Sequence, residues 1–302
     1  MTAASTEATI TPDASAVNST RHRRRWVPRR WPLHLSIAVI MVMWLVPTIG
    51  TFVNSFRPGA AIRFEGWWTA LNPPFDFTLE NYSHVLTREG MSDAFVNSLI
   101  LTIPATIIPI TVACFAAYAF AWMKFPFRNT LFVIVVGLLV VPLQMTFVPL
   151  QIMFREAGLA GSFVAVWLAH TGFGLPFALY LLRNFMGSLP KAVFESAAID
   201  GASEMTAFFR LAIPMSVPAI AALAIFQFLW VWNDLLVALI FLGPNIPNHP
   251  MTVALANLVD SLGGNWHYLT AAAFVQMALP VTVFLFLQRY FASGLLAGSV
   301  KG

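Results

Sequence analysis

The chain has 302 residues, 58% of them hydrophobic and 10% charged, with a net charge of +4. Soluble domains run at about 45–50% apolar and about 25% charged residues. With 27 Phe and 10 Trp besides, this composition excludes a disordered chain, a nucleic-acid-binding domain and an ordinary cytosolic enzyme, and leaves an integral membrane protein.

The first twenty residues, rich in Ala, Ser and Thr, form a disordered tail. Arg21, Arg23, Arg24, Arg25, Arg29 and Arg30 follow directly before an apolar span. A basic block in that place sets orientation and meets anionic lipid headgroups; it does not bind nucleic acid. The span itself, 33–56, is longer than the 7–15 apolar residues of a cleavable signal and no A-x-A-like site follows, so it stays in the protein. The arginine doublets also resemble a twin-arginine signal, and the same objection holds.

A helix needs about 20 largely apolar residues to cross the hydrocarbon core. Stretches that meet this are 33–56, 94–121, 130–152, 163–182, 215–242 and 270–287. Cys114, the one cysteine, lies in the second and reads as a small apolar residue, since a single cysteine supports neither a disulfide framework nor a cysteine-rich metal site. Alternate segments between the spans hold 13 of the 17 Lys and Arg, and the opposite set holds only Arg57, Arg63, Arg88 and Arg155. The positive-inside rule then places both termini in the cytoplasm and loops 57–93 and 243–269 outside, where Trp67, Trp68, Trp266 and Tyr268 suit the interface. The expected organisation is a tail (1–32), a first helix (33–56), an external loop (57–93) and a five-helix core (94–302).

Polar residues in the spans are few: Gln144, His170, Gln227, Asn233, Asp234 and Gln276. No acidic pair or Asp/His ladder crosses the membrane, which argues against ion coupling, and no inverted-repeat pair of interrupted helices is evident. A phosphate-binding G-x-x-x-x-G-K-[ST], an H-E-x-x-H and other catalytic signatures are all lacking. If the chain moves a solute actively, the energy arrives from another subunit.

The most informative segment is the loop 185–213. Pro190 can start a helix over Lys191 to Ile199, Asp200-Gly201 makes a turn, and a second helix over 202–211 is expected to end on approaching Pro214. Asp200 can cap that second helix. Val193, Phe194 and Ala197 share one face of the first helix, while Lys191 and Glu195 lie on another edge. Pattern alone leaves two readings open, an interfacial anchor and a docking element.

Glu195-Ser-Ala-Ala-Ile-Asp-Gly201-Ala202, followed by Ile213-Pro214, resembles the EAA loop of ATP-binding-cassette (ABC) importer permeases. The likeness extends through Trp232-Asn233-Asp234, Met251-Thr-Val-Ala-Leu-Ala-Asn257 and the Gln288 to Gly302 terminus, which are similar to the MalG-type carbohydrate branch. It covers roughly 30–302; Ser196 in place of the first Ala of the triplet departs from the pattern, and the external loops differ enough to leave the sugar open. The resemblance implies an all-α fold of six transmembrane helices with a MetI-like core. It implies a permease subunit that is not an enzyme and binds no cofactor or metal of its own, with ATP and Mg on a partner. It further implies a MalF-like second permease, a dimer of ABC ATPase subunits, an extracytoplasmic solute-binding protein and location in the cytoplasmic (inner) membrane. Val193, Phe194, Glu195, Ala197, Ala198, Asp200 and Gly201 would then form the ATPase-coupling element.

Loop 243–269 is either a connector or, by the same resemblance, a scoop that enters the binding protein's cleft through Asn257, Gly263, Gly264, Asn265 and Trp266. Gln227, Asn233 and Asp234 line the translocation path or contact the partner permease. Asn233 and Asp234 are placed inside the fifth span, about eight residues from its end, and His170, beside Gly172, Gly174 and Pro176, is expected to satisfy an irregular helix. The function these features support is import of a di- or oligosaccharide; the alternatives are a stand-alone secondary carrier and a non-transporting membrane scaffold.

Overall fold

The computed structural model describes residues 30–243, 249–259 and 264–296. The N-terminal tail, Pro244, Pro247, Gly263 and the terminus from 297 lie outside the described residues. The chain divides into two compact units, 1–47 and 48–302. In the first, α1 (Trp31–Ser55) begins, and its residues to Pro47 are exposed on every side. A helix apolar all round has lipid as its natural surrounding, and 25 residues span about 37 Å.

The second unit takes up the end of α1 and a structured first loop: α2 (Gly59–Phe64), a 3₁₀ turn Trp67–Leu71 and α3 (Glu80–Thr87). The Trp67 ring lies so close to Gly50 that a Cβ there would fall 2.7 Å from it. Asn81 donates to the Ser55 and Arg57 carbonyls at 2.9 Å each. The buried Arg57 guanidinium donates to Glu65 and Thr69 and to the Gly66 carbonyl.

Two long helices organise the rest, α4 (Met91–Trp122) and, after the elbow described next, the helix Phe163–Gly187. They run parallel: the Trp167 indole donates to the Ile100 carbonyl near their starts, and the Trp122 indole donates to the Met186 carbonyl at their ends. Small buried residues, Ala105, Ala113 and Ala117 on one and Ala165, Ala169 and Ala178 on the other, permit the close approach. Two parallel helices require the chain between them to cross back.

That return is made by α5 (Arg128–Gly137), its 3₁₀ extension Leu138–Val140, and α6 (Leu143–Glu156), bent by 103°. α5 starts beside the end of Phe163–Gly187, now α7, where the Arg183 guanidinium lies 4.7 Å from the Phe132 ring centre. α6 ends near the start of α7, with Phe154 in the buried cluster that holds Ala165 and Val166. The expected straight span 130–152 is therefore an elbow. Val141, extended at φ −74° and ψ 121°, is held there by Pro142, which disfavours the helical conformation of the residue before it.

After α7 come α8 (Lys191–Ile199), α9 (Glu204–Ala207), a π turn Phe208–Ala212 and α10 (Ile213–Trp232). The expected stop before Pro214 does not occur, because the wide π turn gives a proline room that an α turn would deny it. The fifth span accordingly ends at Trp232; α11 (Leu236–Leu242) is a separate helix packed on α6 and α7. α12 (Met251–Asn257) is tied to α4 by the Met251 N–H to Ser98 Oγ at 2.8 Å. α13 (Trp266–Leu296) starts beside α3, with the Tyr268 and His84 rings stacked at 4.0 Å. The six crossings are α1, α4, the α5–α6 elbow, α7, the α9–α10 helix and α13. One face carries the α7–α10 hairpin and the other carries α11, α12 and the first loop.

If small residues let α4 and α7 meet, Ala113→Leu should overpack the contact and cost about 1–3 kcal/mol, lowering the melting temperature of the detergent-purified protein. Val112→Leu, on the exposed side of α4, should leave it unchanged. Equal effects of the two would contradict this packing.

Candidate functional site

α8 closes with a Schellman motif. The Ala202 N–H bonds the Ala197 carbonyl at 2.9 Å, the Gly201 N–H bonds the Ala198 carbonyl at 3.1 Å, and Gly201 has φ +77°. No atom lies within 4 Å of a Cβ built on Gly201, so its requirement for glycine is conformational. The expected cap of the following helix, Asp200, instead terminates α8; Ser203 caps α9, its Oγ accepting from the Thr206 N–H at 3.2 Å. The Ser203 signal was present in the sequence, two residues beyond the Asp-Gly turn.

The two expected faces of α8 separate. Phe194 turns inward and stacks on Trp122, ring centres 3.9 Å apart and planes 22° apart, with Ala197 half-buried beside it. Val193 is exposed with Glu195, Ala198 and Asp200. The outermost line is Ala192, Ser196 and Ile199, and Ile199 is 86% exposed. Phe194 and Ala197 of the apolar face seen in the sequence thus anchor the helix to its own protein, while Val193 and the opposite face stand free. The second arm is held by Tyr118, whose hydroxyl donates to Glu204 Oε2 at 2.7 Å. Sequence reasoning overlooked Tyr118 and Trp122, since both sit within an apolar span far from the hairpin along the chain.

At the opposite face, Asn233 and Asp234 mark the joint between α10 and α11 and do not lie within a helix. The Asn233 amide donates to the Leu229 carbonyl at 2.7 Å, and the Asp234 carboxylate accepts from the Val237 N–H at 2.8 Å, starting α11. His170 Nε2 lies 3.8 Å from Asp234 Oδ2, and the ring is edge-on to Trp230. α7 is continuous through His170 and Pro176, so the expected irregular helix is absent there and His170 faces the joint. Asn257 ends α12 and is exposed; Gly264, Asn265 and the exposed Trp266 lead into α13 at this same face.

Between elbow, α7 and α10 lies an open-sided cavity of about 870 Å³, lined by Leu139, Met145, Phe173, Phe226, Gln227 and Trp230 among others. Its lining is largely apolar and holds no acidic or basic side chain. Gln227 donates to the Ala105 carbonyl at 3.2 Å, and Gly174 makes room for it: a Cβ on Gly174 would fall 2.7 Å from Gln227 Oε1. No group of three or more His, Cys, Asp or Glu that could hold a metal occurs among the described residues.

Six crossings with a helical hairpin between the fourth and fifth are the arrangement of an importer permease. Residues 93–296 match the family of binding-protein-dependent transport system inner membrane components, and the chain belongs to it. It is thus a permease subunit of an ABC importer, an inner-membrane component and not an enzyme; in this family ATP is hydrolysed by a separate subunit. The chain is 52% identical to the osmoprotective compounds uptake permease protein GgtD of Synechocystis sp., over 94% of this chain and 96% of that one. It is 38% identical to the alpha-glucoside transport system permease protein AglG of Rhizobium meliloti, over 91% and 98%. A bacterial ABC transporter involved in import of the acidic polysaccharide alginate shares the fold with a TM-score of 0.73 at 19% identity, over 88% of this chain and 99% of that one.

Gly174→Ala should displace the Gln227 side chain and break its bond to Ala105, lowering stability by about 1 kcal/mol. In a double-mutant cycle read by melting temperature, Gln227→Ala should absorb much of that loss. Strictly additive effects would dissociate the two residues.

Proposed function

We propose that the chain imports a sugar, a di- or oligosaccharide, as the MalG-like half of a heterodimer with a MalF-like permease. A dimer of ABC ATPase subunits carrying ATP and Mg serves the pair from the cytoplasm, and an extracytoplasmic solute-binding protein delivers the sugar. The chain itself carries no cofactor. Family membership sets aside the stand-alone carrier and the non-transporting scaffold. The sugar reading is supported by the named substrates of relatives, alpha-glucosides and arabinooligosaccharides, and by a cavity lining without charged groups, which suits a neutral solute. The 52% identity to a permease for osmoprotective compounds favours a second reading, uptake of an osmoprotectant.

The observation that carries the coupling assignment is the hairpin: held from within through Phe194 and Glu204, it offers Ala192, Ser196 and Ile199 outward and is shaped by positive-φ Gly201. Val193, Glu195, Ala198 and Asp200 flank that surface, Phe194 and Ala197 seat it, and the ATPase groove receives it. The 13 to 4 division of Lys and Arg puts the hairpin and both termini in the cytoplasm. The opposite face is then external, with Asn257, Gly264, Asn265 and Trp266 in the scoop toward the binding protein, to which the sequence reading adds Gly263, outside the described residues. Gln227 faces the translocation path; Asn233 and Asp234 serve the joint that shapes its outer end.

Gly201→Val forces a β-branched residue into the left-handed region at a local cost of about 1–3 kcal/mol, with the spans untouched. Purified through a tag on this chain, the variant complex should contain the partner permease but lose the ATPase or its solute-stimulated hydrolysis. Full ATPase retention with normal stimulation and uptake would overturn the coupling assignment.

A further inference from the structure

The last two turns of α4 touch both arms of the hairpin and the end of α7. On one arm, Phe194 of α8 lies flat on the Trp122 indole, and the same indole donates its N–H to the Met186 carbonyl in the last turn of α7 at 3.1 Å. On the other arm, the Tyr118 hydroxyl donates to Glu204 at 2.7 Å in the first turn of α9, and Phe208 is inserted between Phe115 and Tyr118, 4.6 and 5.3 Å from their ring centres. Tyr118, Phe194 and Phe208 are buried, in a cluster shared by α4, α7, the hairpin and α10. The hairpin is therefore stapled at two points to one helix, four residues apart, and those residues lie on the same face of α4.

Phe208 also opens the π turn Phe208–Ala212. A π turn carries one residue more than an α turn, and single π turns recur at functional sites. Here it presents Phe208 to α4 while α10 continues beyond Pro214 in its own phase, so α10 can yield at its base while the stapled part moves with α4. A push on the exposed face of α8 then travels through the aromatic stack and the Tyr118 hydrogen bond into α4. The Trp122 to Met186 bond carries it on to α7, whose inner side lines the cavity.

We propose that Tyr118 and Trp122 are positioning residues for transport, transmitting hairpin movement to the α4–α7 pair, with Glu204 as the acceptor that completes the link. This rests on the coupling reading of the hairpin.

The test uses the whole transporter, purified through a tag on this chain in a Cys114→Ala background, with Met145→Cys as a reporter in the cavity wall. Reactivity of Cys at 145 toward a soluble maleimide is measured with and without ATP and vanadate, so no transported solute is needed. With the link intact, trapping the ATPase should change the labelling rate severalfold. Tyr118→Phe, which removes only the hydroxyl, and Tyr118→Phe with Trp122→Phe should keep the ATPase bound yet lose most of that change. Glu204→Gln keeps an oxygen acceptor and should behave as the parent, while Glu204→Ala should follow Tyr118→Phe; a charge role would not separate the two Glu204 variants, and a merely structural one would not spare ATPase binding while abolishing the ATP-dependent change in labelling. If the double variant does not assemble, Tyr118→Phe and the Glu204 pair decide alone. An unaltered response in Tyr118→Phe and Glu204→Ala overturns the proposal. If Gly201→Val still loses the ATPase in that case, the coupling reading stands without this link; if Gly201→Val is normal too, the coupling reading itself has failed.

Discussion

Two neighbouring helices that run in the same direction demand that the chain between them cross the membrane again, and α4 and α7 are such a pair. Their contact depends on a column of alanines, because lipid supplies no hydrophobic drive for helices to associate and close packing has to supply it. From this follow the elbow of α5 and α6, since neither alone is long enough to cross, the antiparallel α10 that links Gln227 to Ala105, and a hairpin that must emerge where α7 ends. The elbow, α7 and α10 then border the open-sided cavity.

The hairpin shows how one amphipathic helix can serve two masters. Its bulky side chain, Phe194, holds the helix to the protein, and its small residues with Ile199 face outward, the surface proposed to receive the ATPase. The Schellman closure at Gly201, the Ser203 cap and the aromatic seat fix the hairpin's shape without burying its outward surface.

Much of this was legible in the chain. Long apolar runs mark α1, α4, α7 and α13, and Pro190 with Asp200-Gly201 marks the hairpin, because helix starts and positive-φ turns have strong local signals. Where tertiary packing decides, local signals mislead. Pro142 kinks one apolar run into an elbow that hydropathy reads as straight, and Pro214 fails to stop a helix because a π turn accommodates it. Asn233 and Asp234 divide a run that hydropathy reads as one span. Of the candidate site residues, Gly201 was legible in its conformation, whereas Phe194, read as part of the ATPase-coupling element, turns inward onto Trp122, a contact with no local signal. Trp122, 72 positions before Phe194, and Tyr118, 86 before Glu204, are joined to the hairpin only through the fold.

Ile199, the most exposed apolar residue of α8, provides the most direct test that the free face of the hairpin receives the ATPase. With a photoreactive amino acid at position 199, irradiation of native membranes should yield a covalent product containing the ATPase subunit, and the same amino acid at Phe64 in α2 should not. A product with the ATPase from position 64 and none from 199 would contradict both the docking surface and the orientation.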